Sequence, residues 1–246
     1  MTKRDRQGRQ RRSGTHPVAL VTGAGRGIGR AAAEALAAAG YAVVIAERAA
    51  PLGRRVERAL QATGAPAIFV HTDVAARGTA EHAVRVAVGR FGRLDCVVNN
   101  AGVLTVAPLH RISRRDLQGM VAVNLLGPLL VARAALPVLR RRRHGAIINV
   151  ASLLGKYGLS HYVTYCATKF GMVGLTQALA DELHGTGIFV WAVCPGQVDT
   201  AMARRAGATE REREGLIRPA SVARVIAALA TGRRRAPSGA AIDITR

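Results

Sequence analysis

Lysine is nearly missing from this chain. Only Lys3, Lys156 and Lys169 stand among its 36 basic residues in a length of 246, so almost all positive charge is arginine. Cysteine is equally scarce: Cys96, Cys166 and Cys194 are too few and too scattered for a disulfide framework or a CxxC site. A cystine-stapled scaffold is excluded, no metal ligands are identified, and a reducing, cytoplasmic setting is the expectation. Aromatic residues make up 4%, which fits helices packed closely on a β-branched sheet. No apolar run approaches the roughly 18 residues that span a bilayer, so no membrane partner is expected. The basic N-terminus lacks the apolar h-region of a secretory signal.

Acidic residues are also few, and the formal net charge is +21. Such a balance raises the question of nucleic acid. The basic clusters, however, lie in unremarkable places. Residues 3–12 form a polar tail, Arg140 to Arg143 end a helical stretch where cations complement the helix dipole, and Arg233 to Arg235 lie in a late turn. No nucleic-acid motif accompanies them, so solvated faces are expected and no specific nucleic-acid partner.

What is present is a regular alternation. Residues 1–16 are charged and aperiodic and are expected to be a disordered basic tail. From Pro17 onward, short buried-strand runs at 18–21, 42–46, 67–70, 94–98, 146–151, 188–193 and 240–244 alternate with helical stretches. This predicts a single α/β domain over residues 17–246: a doubly wound parallel sheet of about seven strands with helices on both faces. Ser113 can cap a long helical segment reaching Arg143, which Gly127-Pro128 is expected to bend or interrupt.

Two places carry chemistry. After the first strand, Gly23, Gly25, Gly27 and Gly29 fall within seven residues, a turn that lets the backbone approach a pyrophosphate at a helix N-terminus. Glu47 ends the second strand, eighteen residues after Gly29, where an acid can bond a ribose hydroxyl. Farther on, Tyr165 and Lys169 are four apart and share a helix face. Ser152 follows the fifth strand, where open α/β sheets place their ligands. Lys169 stands out in a chain that otherwise uses arginine, because its compact ammonium is tunable.

These residues resemble the single-domain short-chain dehydrogenase/reductase family, over almost all of residues 17–246. The carrying motifs are Thr22-Gly23-xxx-Gly27-Ile28-Gly29, Asp73, Asn99-Asn100-Ala101-Gly102, Asn124, Ser152, Tyr165-xxx-Lys169, and Pro195-Gly196 with Thr200. The resemblance implies a Rossmann-type fold and hydride transfer between NAD or NADP and a secondary alcohol or ketone. It implies Tyr165 as general acid/base, with a phenol pKa lowered by Lys169, Ser152 as holder of the substrate oxygen, and Asn124 as holder of a water leading to Lys169. Lys169 would also bond the nicotinamide ribose. The cofactor is expected against Gly23, Arg26, Gly27, Ile28, Gly29, Glu47, Arg48, Asp73, Val74, Asn100, Ala101 and Gly102. Pro195, Gly196, Val198 and Thr200 would hold its nicotinamide end.

Glu47 would repel a 2′-phosphate and favours NAD, whereas Arg26 and Arg48 could neutralise one; the balance leans to NAD. Leu104, Leu153, Leu154, Leu159, His161, Tyr162 and Met202 are the expected substrate walls, under a lid at about residues 200–216. These largely apolar walls favour a hydrophobic or alicyclic compound, steroid-, fatty-acyl- or polyketide-like. Tyr157 is expected in the pocket and Cys166 in packing. The alternatives are a non-catalytic cofactor-binding sensor or scaffold, and a basic nucleic-acid binder. The resemblance also implies a homodimer or homotetramer through the helices carrying Asn124 and Tyr165.

Overall fold

The computed structural model describes residues 16–207 and 215–245. The apolar runs lack polar alternation, so each has two faces to bury, which suits a parallel sheet covered on both sides. They form β1 (Val18–Thr22), β2 (Ala42–Glu47), β3 (Ala67–His71), β4 (Cys96–Asn99), β5 (Gly145–Val150), β6 (Ile188–Pro195) and β7 (Ala241–Ile244). The order is β3-β2-β1-β4-β5-β6-β7 and every pairing is parallel. The order reverses between β1 and β4, and a crevice opens at such a point, beyond the strands' C-terminal ends.

The main helices are α1 (Gly27–Ala38), α2 (Ala50–Ala62), α3 (Thr79–Phe91), α4 (Arg114–Val121), α5 (Gly127–Arg142), α6 (Val163–Glu182), α7 (Ala201–Arg205) and α8 (Pro219–Ala230). Successive strand residues point to opposite faces. Val21, Ile45, Val98 and Ile148 therefore meet Leu36 of α1, Val56 of α2 and Ile226 of α8. Their neighbours Leu20, Val44, Val97 and Ile147 meet Val84 of α3, Leu139 of α5 and Leu179 of α6. Each such aliphatic side chain contributes about 1.5–3 kcal/mol on burial.

The expected long helix is interrupted earlier than Gly127-Pro128. Ser113 does cap α4, its hydroxyl accepting the Asp116 N–H at 3.0 Å. The break is a π-helical turn, Ala122–Leu126. Pro128 falls in the first turn of α5, where a proline's missing N–H is not needed, so it does not end the helix. The same run corrects the expectation about apolar length. Within Arg114–Arg142, 18 residues average a hydropathy of 1.7, enough by length and composition to cross a membrane. One stripe of this run, including Met120, Val131, Ala135 and Leu139, is buried within the protein.

The helix expected over 200–214 is seen as α7 only to Arg205, and residues 208–214 of the expected lid lie outside the described residues. The expected tail, except His16, also lies outside them.

Candidate active site

The glycine-rich turn is shaped by close backbone approach. Gly23 has φ +62°, and a Cβ there would lie 2.9 Å from the Cα of Ala101. A Cβ on Gly29 would lie 2.2 Å from the carbonyl oxygen of Gly23 and 2.4 Å from Nδ2 of Asn100. The turn is pinned from β4. Thr22 Oγ1 accepts the N–H groups of Asn100 and Ala101, while Asn100 Nδ2 donates to the carbonyls of Thr22 and Gly23. Asn100 thus fixes the turn's conformation, and α1 begins at Gly27, inside the motif.

Glu47, at the end of β2, holds the same turn from the other side. Its two carboxylate oxygens accept the N–H of Gly25 and of Ala49, each at 2.9 Å. Arg48 lies 3.8 Å from the Asp73 carboxylate, whose other oxygen accepts the Ala75 N–H. Val74 is buried against Gly127 at the start of α5.

β5 delivers Ser152. Its hydroxyl accepts the Leu154 N–H at 3.1 Å, capping a short 3-10 turn, Leu153–Gly155. The Tyr165 phenol lies near enough to Ser152 for the serine side chain to lower its pKa. Lys169 lies one helical turn on, with Nζ 5.5 Å from the Tyr165 ring centroid, donating to the Val150 carbonyl at 2.8 Å. The three groups therefore converge. Their proton affinities differ from the expectation of a lowered phenol. Burial pushes Tyr165 up to about 12, more than Ser152 lowers it. Burial also brings Lys169 down to about 8. The reason is local: both groups have lost water on burial.

One cavity of about 670 Å³ joins these elements. Its lining includes Ser152, Tyr165 and Lys169. It also includes Gly23, Arg26, Gly27, Ile28, Glu47, Arg48, Asp73, Val74, Asn100, Ala101, Gly102, Pro195, Gly196, Val198 and Thr200. Leu104, Leu153, Leu154, Leu159, Tyr162 and Met202 line it as well. Across the mouth, Thr200 caps α7 and its methyl lies 3.2 Å from where a Gly27 Cβ would be.

Three anticipated residues lie elsewhere. Gly29 is outside the lining, and its lack of a side chain instead lets α1 seat on the turn. His161 is also outside the lining. It adopts φ +69°, and its carbonyl accepts the Ala107 N–H. Asn124 is buried outside the lining. Its Oδ1 accepts the Val103 N–H, and its Nδ2 donates to the Val103 carbonyl and to Thr168 Oγ1. Its amide thus ties the π-helical turn to β4's following loop and to α6. Val103 and Gln197, for which the sequence raised no expectation, line the cavity, as does Arg205 of the expected lid. Val103 and Gln197 directly follow motif residues, and that adjacency was the available signal.

The fit to a dinucleotide rests on this geometry. A glycine turn without Cβ atoms meets the first turn of α1, and Glu47 is held beside it at the same cavity. The opposite end presents a hydroxyl, a phenol and an ammonium.

The family model described as short chain dehydrogenase matches residues 17–211. The cis-4-hydroxycyclohexanecarboxylate dehydrogenase of Sinomonas cyclohexanicum is 38% identical over 222 residues, covering 87% of this chain and 89% of that protein. The fold is similar to the 3-ketoacyl-(acyl-carrier-protein) reductase of Brucella melitensis complexed with NADH, with TM-score 0.86, 28% identity and 95% and 98% of the two chains covered. It is also similar to a variant of actinorhodin polyketide ketoreductase with NADPH, with TM-score 0.88, 32% identity and 94% and 96% covered.

Proposed function

From the premise that the chain belongs to the short-chain dehydrogenase/reductase family, we propose that it interconverts a hydrophobic or alicyclic secondary alcohol and its ketone with NAD. The chain is an NAD(P)-dependent oxidoreductase acting between alcohol and ketone. The observation that carries the finer reading is one cavity with Ser152, Tyr165 and Lys169 at one end and the glycine turn with Glu47 at the other.

In this scheme Ser152 holds the substrate oxygen and stabilises charge developing on it. Tyr165 gives that oxygen a proton during ketone reduction and takes one during alcohol oxidation. The hydride would be supplied or taken up by a nicotinamide held at Pro195, Gly196, Val198 and Thr200. Lys169, close below the phenol ring, stabilises negative charge on Tyr165 as it forms. Asn124 acts as a positioning residue, holding α6 and Val103 in register through its three hydrogen bonds. Gly23, Arg26, Gly27, Ile28, Asp73, Val74, Asn100, Ala101 and Gly102 take the adenosine and pyrophosphate side. Pro195, Gly196, Val198 and Thr200 take the nicotinamide side.

Two facts support NAD. Glu47 is held at the cofactor end of the cavity by two backbone N–H donors, and a carboxylate there would repel a 2′-phosphate. Arg48 lies near Asp73, which draws its charge away from such a phosphate. The walls Leu104, Leu153, Leu154, Leu159, Tyr162 and Met202 support a hydrophobic substrate. Three free, buried cysteines support a reducing, cytoplasmic setting. Leu117, Val121, Leu126, Leu129, Val163 and Phe170 on and between α4, α5 and α6 are exposed apolar residues, which supports a homo-oligomer through that face.

The test pairs a fluorescence titration with NADH and NADPH with turnover of Tyr165→Phe. NADH is expected to bind more tightly, and Tyr165→Phe to lose about 100- to 10,000-fold in kcat. Tighter NADPH binding would overturn the NAD assignment; unchanged turnover would overturn the mechanism.

A further inference from the structure

The cavity's charged groups are unevenly distributed. Arg26, Glu47, Arg48 and Asp73 gather at the adenosine end. The other end is walled by leucines, tyrosines and Met202, and only two cations reach it among the described residues. One is Lys169, buried and donating to Val150. The other is Arg205, in the last turn of α7.

Arg205 lies one helical turn beyond Ala201 and three residues beyond Met202, both of which line the cavity, so it shares their face. Its neighbour Arg204 points elsewhere and pairs with Asp199 at 3.5 Å. Among the described residues no hydrogen bond or ion pair engages the Arg205 guanidinium; the residue is exposed and lines the cavity. A substrate seated against apolar walls removes water from that guanidinium. An unpaired cation there opposes binding of a neutral compound. A carboxylate turns the same cation into a bidentate, charge-assisted contact.

We propose that Arg205 is a specificity residue that binds a carboxylate carried by the substrate away from the oxygen being oxidised or reduced. The proposal rests on the alcohol–ketone reading of the cavity and narrows it to hydroxy acids and keto acids with an apolar frame.

Two measurements on the full chain test it. The first needs no turnover: cyclohexanecarboxylate is titrated calorimetrically into the protein with NADH. Arg205→Gln is expected to weaken this binding about 10-fold or more, as for loss of one charge-assisted hydrogen bond, and to leave NADH affinity unchanged. The second compares 4-hydroxycyclohexanecarboxylate with its methyl ester. Arg205→Gln is expected to raise KM for the acid about 10-fold or more, with kcat and the ester's KM nearly unchanged; Arg205→Lys is expected to recover part of the loss. Equal effects on acid and ester, or weaker NADH binding, would overturn the assignment. So would a loss confined to acetoacetyl-coenzyme A against its N-acetylcysteamine thioester, because the anion would then be a phosphate. Carboxylate binding that depends on Arg205 without any alcohol or ketone turnover would keep this proposal and sink the mechanism instead.

Discussion

Lys169 stands where an ammonium is least at home. It is 4% exposed and, among the described residues, donates to the Val150 carbonyl. Burial lowers its pKa from 10.5 to about 8, a penalty of about 3 kcal/mol on the charged form. The unfolded chain therefore holds the extra proton between about 8 and 10.5, and stability rises with pH across that window. Below it the penalty is constant. Lys169→Met is accordingly expected to raise stability on the order of 1–3 kcal/mol at neutral pH while abolishing turnover. Urea melts would check this, and a lowered midpoint at neutral pH would contradict it.

Tyr165 has the opposite linkage. Its raised value, about 12, keeps it protonated through neutrality, so ketone reduction should be flat across neutral pH. Alcohol oxidation needs the phenolate and should climb with pH. A pH–rate profile in each direction reads this directly, and oxidation that falls with rising pH would exclude Tyr165 as its base.

At the scale of elements, the glycine turn and α1 behave as one piece. Gly29 is the seam: its missing Cβ lets the helix meet the Gly23 carbonyl and the Asn100 amide. Both neighbours are pinned by hydrogen bonds, so neither can yield. Gly29→Ala is expected to cost about 1–3 kcal/mol, as overpacking does, and to weaken NADH binding. Gly89, exposed on α3 with nothing within 4 Å of an added Cβ, is its control. Gly89→Ala is expected to stabilise by about 0.5–1 kcal/mol through helix propensity. Thermal melts of the two variants should move in opposite directions. Equal shifts would mean that contact at Gly29 is not what matters.

At the scale of the whole molecule, the exposed apolar residues of α4 to α6 set the expected assembly. Phe170 is 46% exposed and Val163 on the same helix equally so. A charge at Phe170 would leave the fold's interior untouched and be buried only if a second copy covers it. Phe170→Glu is therefore expected to convert a dimer or tetramer into a smaller species in light scattering, with its secondary structure retained. An unchanged mass would remove this face from the assembly. Tyr165 and Lys169, the proposed acid/base pair, lie on α6 too, so loss of assembly should also lower activity.

The alternation of apolar runs and helical stretches, the glycine turn and the Tyr165–Lys169 spacing were sufficient to determine the fold class and most of the cavity lining. These signals are local: strand burial, turn geometry and helix periodicity all act over a few residues. The tertiary structure decided what depends on residues distant in the chain. It placed the break at Ala122–Leu126, because Asn124 there bonds Val103 and Thr168. It turned His161 out of the cavity through a left-handed backbone, and brought Arg205 in through the single turn of α7. It also reversed the expected shift of Tyr165. A helical spacing puts phenol and ammonium on one face, but burial dominates their proton affinities, and that burial arises only when β5 and α6 pack together.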